Sequence, residues 1–159
     1  MNGVDIIDKS YLERKCRLPE WNETVSGIVS DFHLNHEQDR AFCIVANHVY
    51  QARFGSDQLK MYIGGMAGTG KSQVLKAVIR LFELRNECHR FIVVAPMGSA
   101  AALLGRSTYH SVFGINDRDT SQGWLAQVRA QLMGVKYIFF DEVSMLSCCD
   151  MFRLNLQMI

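Results

Sequence analysis

The residues best suited to chemistry form one glycine-rich stretch of the chain. Its members are Gly65, Met66, Ala67, Gly68, Thr69, Gly70, Lys71 and Ser72. The stretch matches G-x-x-x-x-G-K-S/T, a pattern in which glycines let backbone N–H groups surround phosphates at the start of a helix. Lys71 adds a positive charge for the β- and γ-phosphates, and the Ser72 hydroxyl can ligate Mg²⁺. A glycine-rich linking turn rarely meets the whole pattern by chance, so the stretch predicts a site for the phosphates of ATP.

Two adjacent acids, Asp141 and Glu142, follow the apolar run Tyr137 to Phe140, about seventy residues after the phosphate loop. One acid at the end of such a strand can hold the Mg²⁺ shell, and a second can activate a water molecule for attack on the γ-phosphate. We assign the metal role to Asp141, which comes first, and the catalytic role to Glu142 together with Lys71. The alternative, a solvated acidic strand end, is disfavoured by the phosphate loop upstream.

Gln38 lies three residues after Asn35, at the predicted start of a helix. Its side-chain amide can both donate to and accept from an adenine edge. The same spacing is that of a capping box, in which Asn35 and Gln38 satisfy each other's backbone N–H groups. The sequence does not separate the two roles, and both can hold at once.

A polar and aromatic cluster lies farther along the chain, formed by Thr108, Tyr109, His110, Ser111 and Phe113. Such mixtures of hydroxyls, a histidine and rings bind backbone phosphates and stacked bases of nucleic acid. The small residues from Ala95 to Ala101 also leave backbone N–H groups available to a bound strand. From these residues alone, however, a surface loop or a helix cap is the better interpretation.

Apolar periodicity predicts the elements that position these residues. The predicted strands are Leu59–Gly64, Arg90–Ala95 and Tyr137–Phe140. The predicted helices are His36–Phe54, Ser72–Leu84, Gly98–Leu104, Trp124–Met133 and Met145–Ile159. Apolar strands alternating with helices indicate an α/β fold with a parallel sheet whose strands are buried on both faces. Ligands bind such sheets at the carboxyl ends of the strands, which is where the loop lysine and the acid pair fall.

Composition excludes several other classes of protein. The 159 residues carry a net charge of only +1, so any DNA contact must come from a local groove rather than from a basic surface. No apolar run approaches the roughly 18–20 residues of a membrane span. Five scattered cysteines argue against a disulfide framework. The segment Asn116 to Asp119 lacks the lysine of the guanine-reading N-K-x-D pattern, which argues against GTP.

With these residues in order, the chain resembles the PIF-type (petite integration frequency) DNA helicases of superfamily one, including those encoded by Helitron transposons. Four blocks over residues 34–150 carry the resemblance. LNHEQDRAF is similar to the adenine-reading Q motif, and YIGGMAGTGKS to motif I. VVAPMGSAAALLGRSTYHSVFGI is similar to motifs Ia and Ib, and FFDEVSML to motif II. The T-x-H-S element of the third block is the most specific to the family.

The resemblance implies an α/β P-loop NTPase with a RecA-like parallel sheet and flanking helices. It implies ATP and Mg²⁺ as cofactors, single-stranded DNA and duplex junctions as partners, and 5′-to-3′ unwinding in DNA repair, recombination or transposition. It gives the adenine contact to Gln38 and the DNA path to Pro96, Gly98, Thr108 and His110, and so overrides the surface-loop interpretation. By family, the nucleus is the expected compartment, with the mitochondrion as the alternative.

The sequence departs from the motifs of this family in several places. Met97 replaces the usual threonine of motif Ia, and Arg106-Ser107 replaces a smaller residue before the T-x-H-S element. We expect residues 1–33 to form a weakly structured leader and residues 34–159 to form a partial first RecA-like domain, truncated after the motif II strand. Motif III and a second motor domain with its arginine finger are not found. The alternative is a truncated, catalytically incompetent nucleotide- or DNA-binding fragment.

The sheet itself carries a further expectation. In RecA-like sheets of this family, the strand after motif II lies between the motif I and motif II strands. Without it, backbone groups of Leu59–Gly64 and Tyr137–Phe140 would lack partners, at about 1–3 kcal/mol for each buried group. We therefore expect marginal stability and poor ATP hydrolysis from this polypeptide alone.

Overall fold

The computed structural model describes residues 19–52, 58–66, 68–96, 107–113, 126, 128 and 130–157. The chain divides into two compact units, Met1–Asn86 and Glu87–Ile159, and each has its own buried core. Over the described stretches, no helix combines the length and the apolar character needed to cross a bilayer.

The regular elements described in the first unit are helices, namely α1 (Pro19–Asp31), α2 (His36–Gln51) and α3 (Lys71–Leu84), which pack on one another. Helix α1 lies in the segment expected to be a leader, and it buries Trp21 and Ile28. The remainder of that segment, residues 1–18, is outside the described residues.

Helix α2 begins as the capping box predicts. The Asn35 side chain accepts a hydrogen bond from the Gln38 N–H at 3.0 Å, and the Gln38 Oε1 accepts one from the Asn35 N–H at 3.0 Å. The helix ends at Gln51, with Ala52 as its C-cap, rather than at Phe54, which is not among the described residues. The predicted start of this helix is therefore confirmed.

Helix α3 follows the phosphate loop, as predicted, and starts one residue earlier, at Lys71. Its buried residues recur at helical spacing along one face. They are Val74, Ala77, Val78, Leu81 and Phe82. This apolar stripe packs against α2 and α1, and so anchors the loop at the helix N-terminus to the core of the first unit.

The predicted strand Leu59–Gly64 is wrong. Residues 58–66 have no regular secondary structure, and Tyr62 is 75% exposed. An extended segment becomes a strand only when a neighbour completes its hydrogen-bond ladder. Among the described residues, the sheet lies in the second unit and none of its pairings includes this segment. Apolar character alone therefore gave a false prediction here.

The second unit contains a three-stranded parallel sheet, formed by β1 (Phe91–Ala95), β2 (Ser107–Thr108) and β3 (Tyr137–Phe140) in the order β2-β1-β3. Val93 is paired with Phe139, and Val94 with Ser107 on the opposite edge of β1. The predicted strands at β1 and β3 are confirmed, whereas β2 was not predicted. Strand β3 is half-buried rather than fully buried.

Helices complete the second unit. Helix α4 (Tyr109–Phe113) follows β2 directly, and α5 (Cys148–Gln157) follows a 3₁₀ turn at Val143–Met145. Helical residues at 126, 128 and 130–132, followed by Gly134 with φ 88°, agree with the predicted helix and its glycine cap. The predicted helix at Gly98–Leu104 is outside the described residues.

The core of the second unit joins the sheet to these helices, through Val94, Tyr109, Val112, Phe113 and Leu154. Helix α5 begins three residues later than predicted because Ser147 accepts a hydrogen bond from the Asp150 N–H and caps the helix there. Parallel strands and helices confirm the predicted α/β class.

Candidate nucleotide-binding site

The phosphate loop has the backbone conformation that its glycines predict. Gly68 and Gly70 both have φ near 80°, in the left-handed region that side chains with a Cβ rarely adopt. Gly70 also lies against the side-chain amide of Gln38, and a Cβ at Gly70 would overlap that nitrogen. Gly70 is therefore required both by its conformation and by its neighbour. Ala67, also predicted to line the site, is not among the described residues.

Lys71 lies inside the loop rather than pointing away from it. Its Nζ donates to the carbonyl oxygens of Gly65 at 2.8 Å and Met66 at 2.9 Å. The Thr69 hydroxyl donates to the same Met66 oxygen at 2.8 Å. The positive charge is thus held against the loop backbone, where an anion can take the place of these two uncharged acceptors.

The N-terminus of α3 provides a second feature suited to an anion. The intrahelical ladder includes the bond from the Gln73 N–H to the Gly70 oxygen at 2.9 Å. The N–H groups of Lys71 and Ser72 come before it, where a helix offers no acceptor of its own. The Ser72 side chain is exposed. The N-terminus of α3, which begins at Lys71, therefore provides N–H groups and a helix dipole that stabilise an anion.

Gln38 connects α2 to the phosphate loop. Its Nε2 donates to the carbonyl oxygens of Thr69 at 3.2 Å and Gly70 at 3.4 Å, across more than thirty residues of sequence. Its Oε1 meanwhile serves the capping box. The capping role is confirmed, and the structure adds a loop contact that sequence reasoning missed. The adenine contact stays a prediction.

A cavity of about 590 Å³ lies beside the loop, within the first unit. Gln38 and Lys71 line it, together with Arg40 and Tyr62, which sequence reasoning did not single out. This volume is within the usual range for small-molecule sites. Tyr62 was missed because its segment was predicted to be a buried strand. Arg40 lies two residues after Gln38, and the sequence carried no separate signal for it.

The acid pair lies in the second unit, at the carboxyl end of β3. The Asp141 N–H donates to the Val94 oxygen at 2.9 Å, which extends the β1–β3 ladder by one bond, and the Asp141 side chain is half-buried. Glu142 is exposed and has φ 54° and ψ 42°. A left-handed conformation costs a residue other than glycine about 1–2 kcal/mol. Nothing in the sequence signals this strain.

The residues predicted to lie along a DNA path occupy the same unit. Pro96 follows the last residue of β1, and Thr108 is the last residue of β2. The Thr108 Oγ1 accepts from the Ser111 N–H at 3.3 Å, and so caps α4. His110 is half-buried, with its ring centroid 3.9 Å from that of Tyr109. Gly98 is outside the described residues.

The predicted Mg²⁺ ligands fit that ion by chemistry, because a hydroxyl and a carboxylate are oxygen ligands of the kind it prefers. Ser72 belongs to the first unit and Asp141 to the second. Among the described residues, no group of three or more His, Cys, Asp or Glu side chains could hold a metal by itself.

A glycine-rich loop with its lysine and serine at the head of a helix, and a parallel strand ending in an acid pair, define the P-loop NTPase class. The sequence profile of the PIF1-like helicase family matches residues 33–157. The chain therefore belongs to the PIF1-like helicase family, which confirms the resemblance inferred from the four blocks.

Individual relatives agree with this assignment. The chain is 34% identical over 128 residues to the ATP-dependent DNA helicase PIF7 of Trypanosoma brucei brucei, covering 74% of this chain and 12% of that protein. It is 31% identical over 126 residues to PIF4 of the same organism, covering 74% and 14%. The match to PIF1 is 38% over 86 residues, covering 54% and 8%. The matched region thus spans 8–14% of the length of these relatives. No solved structure matches it.

Proposed function

We propose that this chain is the ATP-binding part of a DNA helicase motor, in which ATP hydrolysis drives 5′-to-3′ movement on single-stranded DNA. The observation that carries the proposal lies in the loop Gly65 to Ser72, where the ammonium of Lys71, the first residue of α3, contacts the carbonyl oxygens of Gly65 and Met66. The adjoining cavity of about 590 Å³ leaves room for the nucleoside. The relatives named above are ATP-dependent DNA helicases.

In this proposal each element has one task. The loop backbone and Lys71 bind the β- and γ-phosphates, while Gln38 contacts the adenine. Ser72 and Asp141 would hold Mg²⁺, which supplies further positive charge to the phosphates when it is bound. Glu142 orients a water molecule and accepts its proton. The Glu142 side chain is exposed, so its carboxylate is accessible to water.

Nucleotide binding is tested on the 159-residue chain with a fluorescent N-methylanthraniloyl ATP. Replacing Lys71 with Met removes a charge-assisted contact, worth about 1.5–3 kcal/mol, so we expect the dissociation constant to rise at least about tenfold. Lys76 is the matched control, because it is exposed on the same helix and Lys76→Met should bind as the parent does. Equal affinity of the Lys71→Met variant and the parent would refute the site.

DNA binding is tested separately, by the fluorescence anisotropy of a labelled oligothymidylate. We propose that Pro96, Gly98, Thr108 and His110 line the strand, so His110→Ala should weaken binding by losing a base or phosphate contact. His89 is the matched control, since it is an exposed histidine of the same unit. If both alanine variants bind alike, the assignment of His110 fails. Comparing an oligothymidylate with a forked duplex tests whether junctions are preferred.

One observation favours the second candidate, a nucleotide- or DNA-binding module without turnover. Residues 58–66, which lead into the phosphate loop, have no ladder to fix them. Loop geometry suffices to bind phosphates, whereas hydrolysis needs the loop and Glu142 held at a fixed distance. Phosphate release by the chain, with and without oligothymidylate, distinguishes the two: tight nucleotide binding with no release favours the module.

The cellular setting belongs to the same proposal. We propose a nuclear enzyme, with the mitochondrion as the alternative, acting in DNA repair, recombination or transposition. The support is family membership alone. Imaging of the tagged protein beside nuclear and mitochondrial markers tests the compartment, and exclusion from both would overturn it.

A further inference from the structure

A hydrogen bond in the second unit joins two segments that sequence reasoning treated separately. The Tyr109 hydroxyl donates to Asp150 Oδ2 at 3.2 Å, across 41 residues of sequence. Tyr109 is only 4% exposed and belongs to the core that joins the sheet to α5. A buried phenol with a single well-placed acceptor orients its whole ring. The bond thus fixes α4 with respect to α5.

Asp150 is itself held from the other side. The Ser147 hydroxyl donates to the same Oδ2 at 2.7 Å, and its oxygen accepts from the Asp150 N–H at 3.0 Å. This reciprocal pair caps α5. The hydrogen bond from the Ser147 hydroxyl lowers the pKa of Asp150, and the bond from Tyr109 adds to this effect. Burial raises the pKa of Tyr109, and the nearby Asp150 charge raises it further. At neutral pH a charged carboxylate therefore faces a neutral phenol.

Each end of this link lies beside a residue with a proposed role. The Tyr109 and His110 rings lie 3.9 Å apart between centroids and are tilted by 31°. At the other end, Ser147 follows Glu142 by five residues, through a 3₁₀ turn in which the Met145 N–H donates to the Glu142 oxygen at 3.0 Å. His110 and the positively charged Arg153 also act electrostatically on Asp150. These groups form one connected cluster.

We propose that Asp150 is a positioning residue, which through Tyr109 holds His110 in the orientation that binds single-stranded DNA and ties it to the segment following Glu142. This inference rests on the proposed DNA-binding function. Neither Tyr109 nor Asp150 contacts DNA in the proposal.

The test measures the affinity of the 159-residue chain for a fluorescein-labelled oligothymidylate. Tyr109→Phe and Asp150→Ala should each weaken binding about three- to tenfold, the range expected for one lost hydrogen bond. The double variant should bind no worse than Asp150→Ala, because that change already removes the bond that Tyr109→Phe removes. Asp150→Asn retains an acceptor oxygen and should bind nearly as the parent does. Affinity for the fluorescent ATP should not change.

The outcomes distinguish the positioning role of Asp150 from the proposed DNA-binding function. A parent chain that does not bind the oligothymidylate overturns the proposed function, and the inference with it. A parent that binds, with Tyr109→Phe and Asp150→Ala equally tight, overturns the inference alone. Losses that add in the double variant, or that affect nucleotide affinity equally, indicate general destabilisation and also overturn it. Non-additive losses with rescue by Asp150→Asn support it.

Discussion

Two glycines of the phosphate loop provide a matched comparison, because Gly68 and Gly70 share a φ near 80° but have different surroundings. Alanine at either position would have to adopt a left-handed conformation, which costs about 1–2 kcal/mol. A Cβ at Gly68 meets nothing within 4 Å, whereas one at Gly70 displaces the Gln38 amide. That amide would lose its bonds to the Thr69 and Gly70 oxygens. Both bonds are partly solvated, so we expect an extra cost of about 1 kcal/mol rather than 2.

Urea unfolding of four variants measures this difference. Gly70→Ala should lower the free energy of unfolding by about 1 kcal/mol more than Gly68→Ala does, with an unchanged urea dependence. In a Gln38→Ala background the excess should disappear, since no amide is left to displace. Equal losses for the two alanine variants in the parent background would refute the contact. An excess that persists without the Gln38 amide would show that something other than this contact is responsible.

Three further predictions concern stability and reactivity. The pKa of Asp150 is lower in the folded chain than in the unfolded chain. The charged carboxylate therefore stabilises the fold fully at a pH above its unfolded-state pKa, and this stabilisation is lost as the pH falls through its folded-state pKa. Asp150→Asn should therefore flatten the acid side of the unfolding curve, and an unchanged curve would contradict this. Burial and Asp39 raise the pKa of Cys43 to about 12, so at pH 8 this thiol should react with a disulfide reagent at least about a hundred times more slowly than exposed Cys88; comparable rates would disprove it. Glu142→Val should lower the melting temperature more than Glu142→Asn, because asparagine tolerates a left-handed backbone and valine does not; calorimetry showing the reverse would count against the strain.

The local elements were predictable where their signals were local. The Asn35–Gln38 capping box, the glycine loop and the apolar stripe of α3 are each encoded within a few residues, and each is confirmed. The segment Leu59–Gly64 failed because a strand depends on a partner elsewhere in the chain. The strand at Ser107–Thr108 was missed for the converse reason. Two polar residues carry no strand pattern, and only pairing with β1 makes them one.

The site was predictable in its residue types but not in its contacts. Spacing alone identified Lys71 and Gln38, whereas the carbonyl oxygens that each one contacts depend on how the loop closes. The backbone strain at Glu142 and the bond between Tyr109 and Asp150 had no sequence signal at all. Both arise from tertiary structure, where the end of β3 and the cap of α5 fix the path of the chain.

The two polar atoms of the Gln38 side chain contact different parts of the first unit. Its oxygen accepts a hydrogen bond in the cap of α2, and its nitrogen donates to the phosphate loop. A glutamate has the same shape and keeps the oxygen, but it has no N–H to offer the loop. A single base change in the codon converts one residue into the other. Such a Gln38→Glu chain would retain its helix while its loop carbonyls faced an anion. A screen that scores only whether the chain folds would miss a loss of stability of about 1 kcal/mol, whereas an assay of ligand binding tests the loop directly.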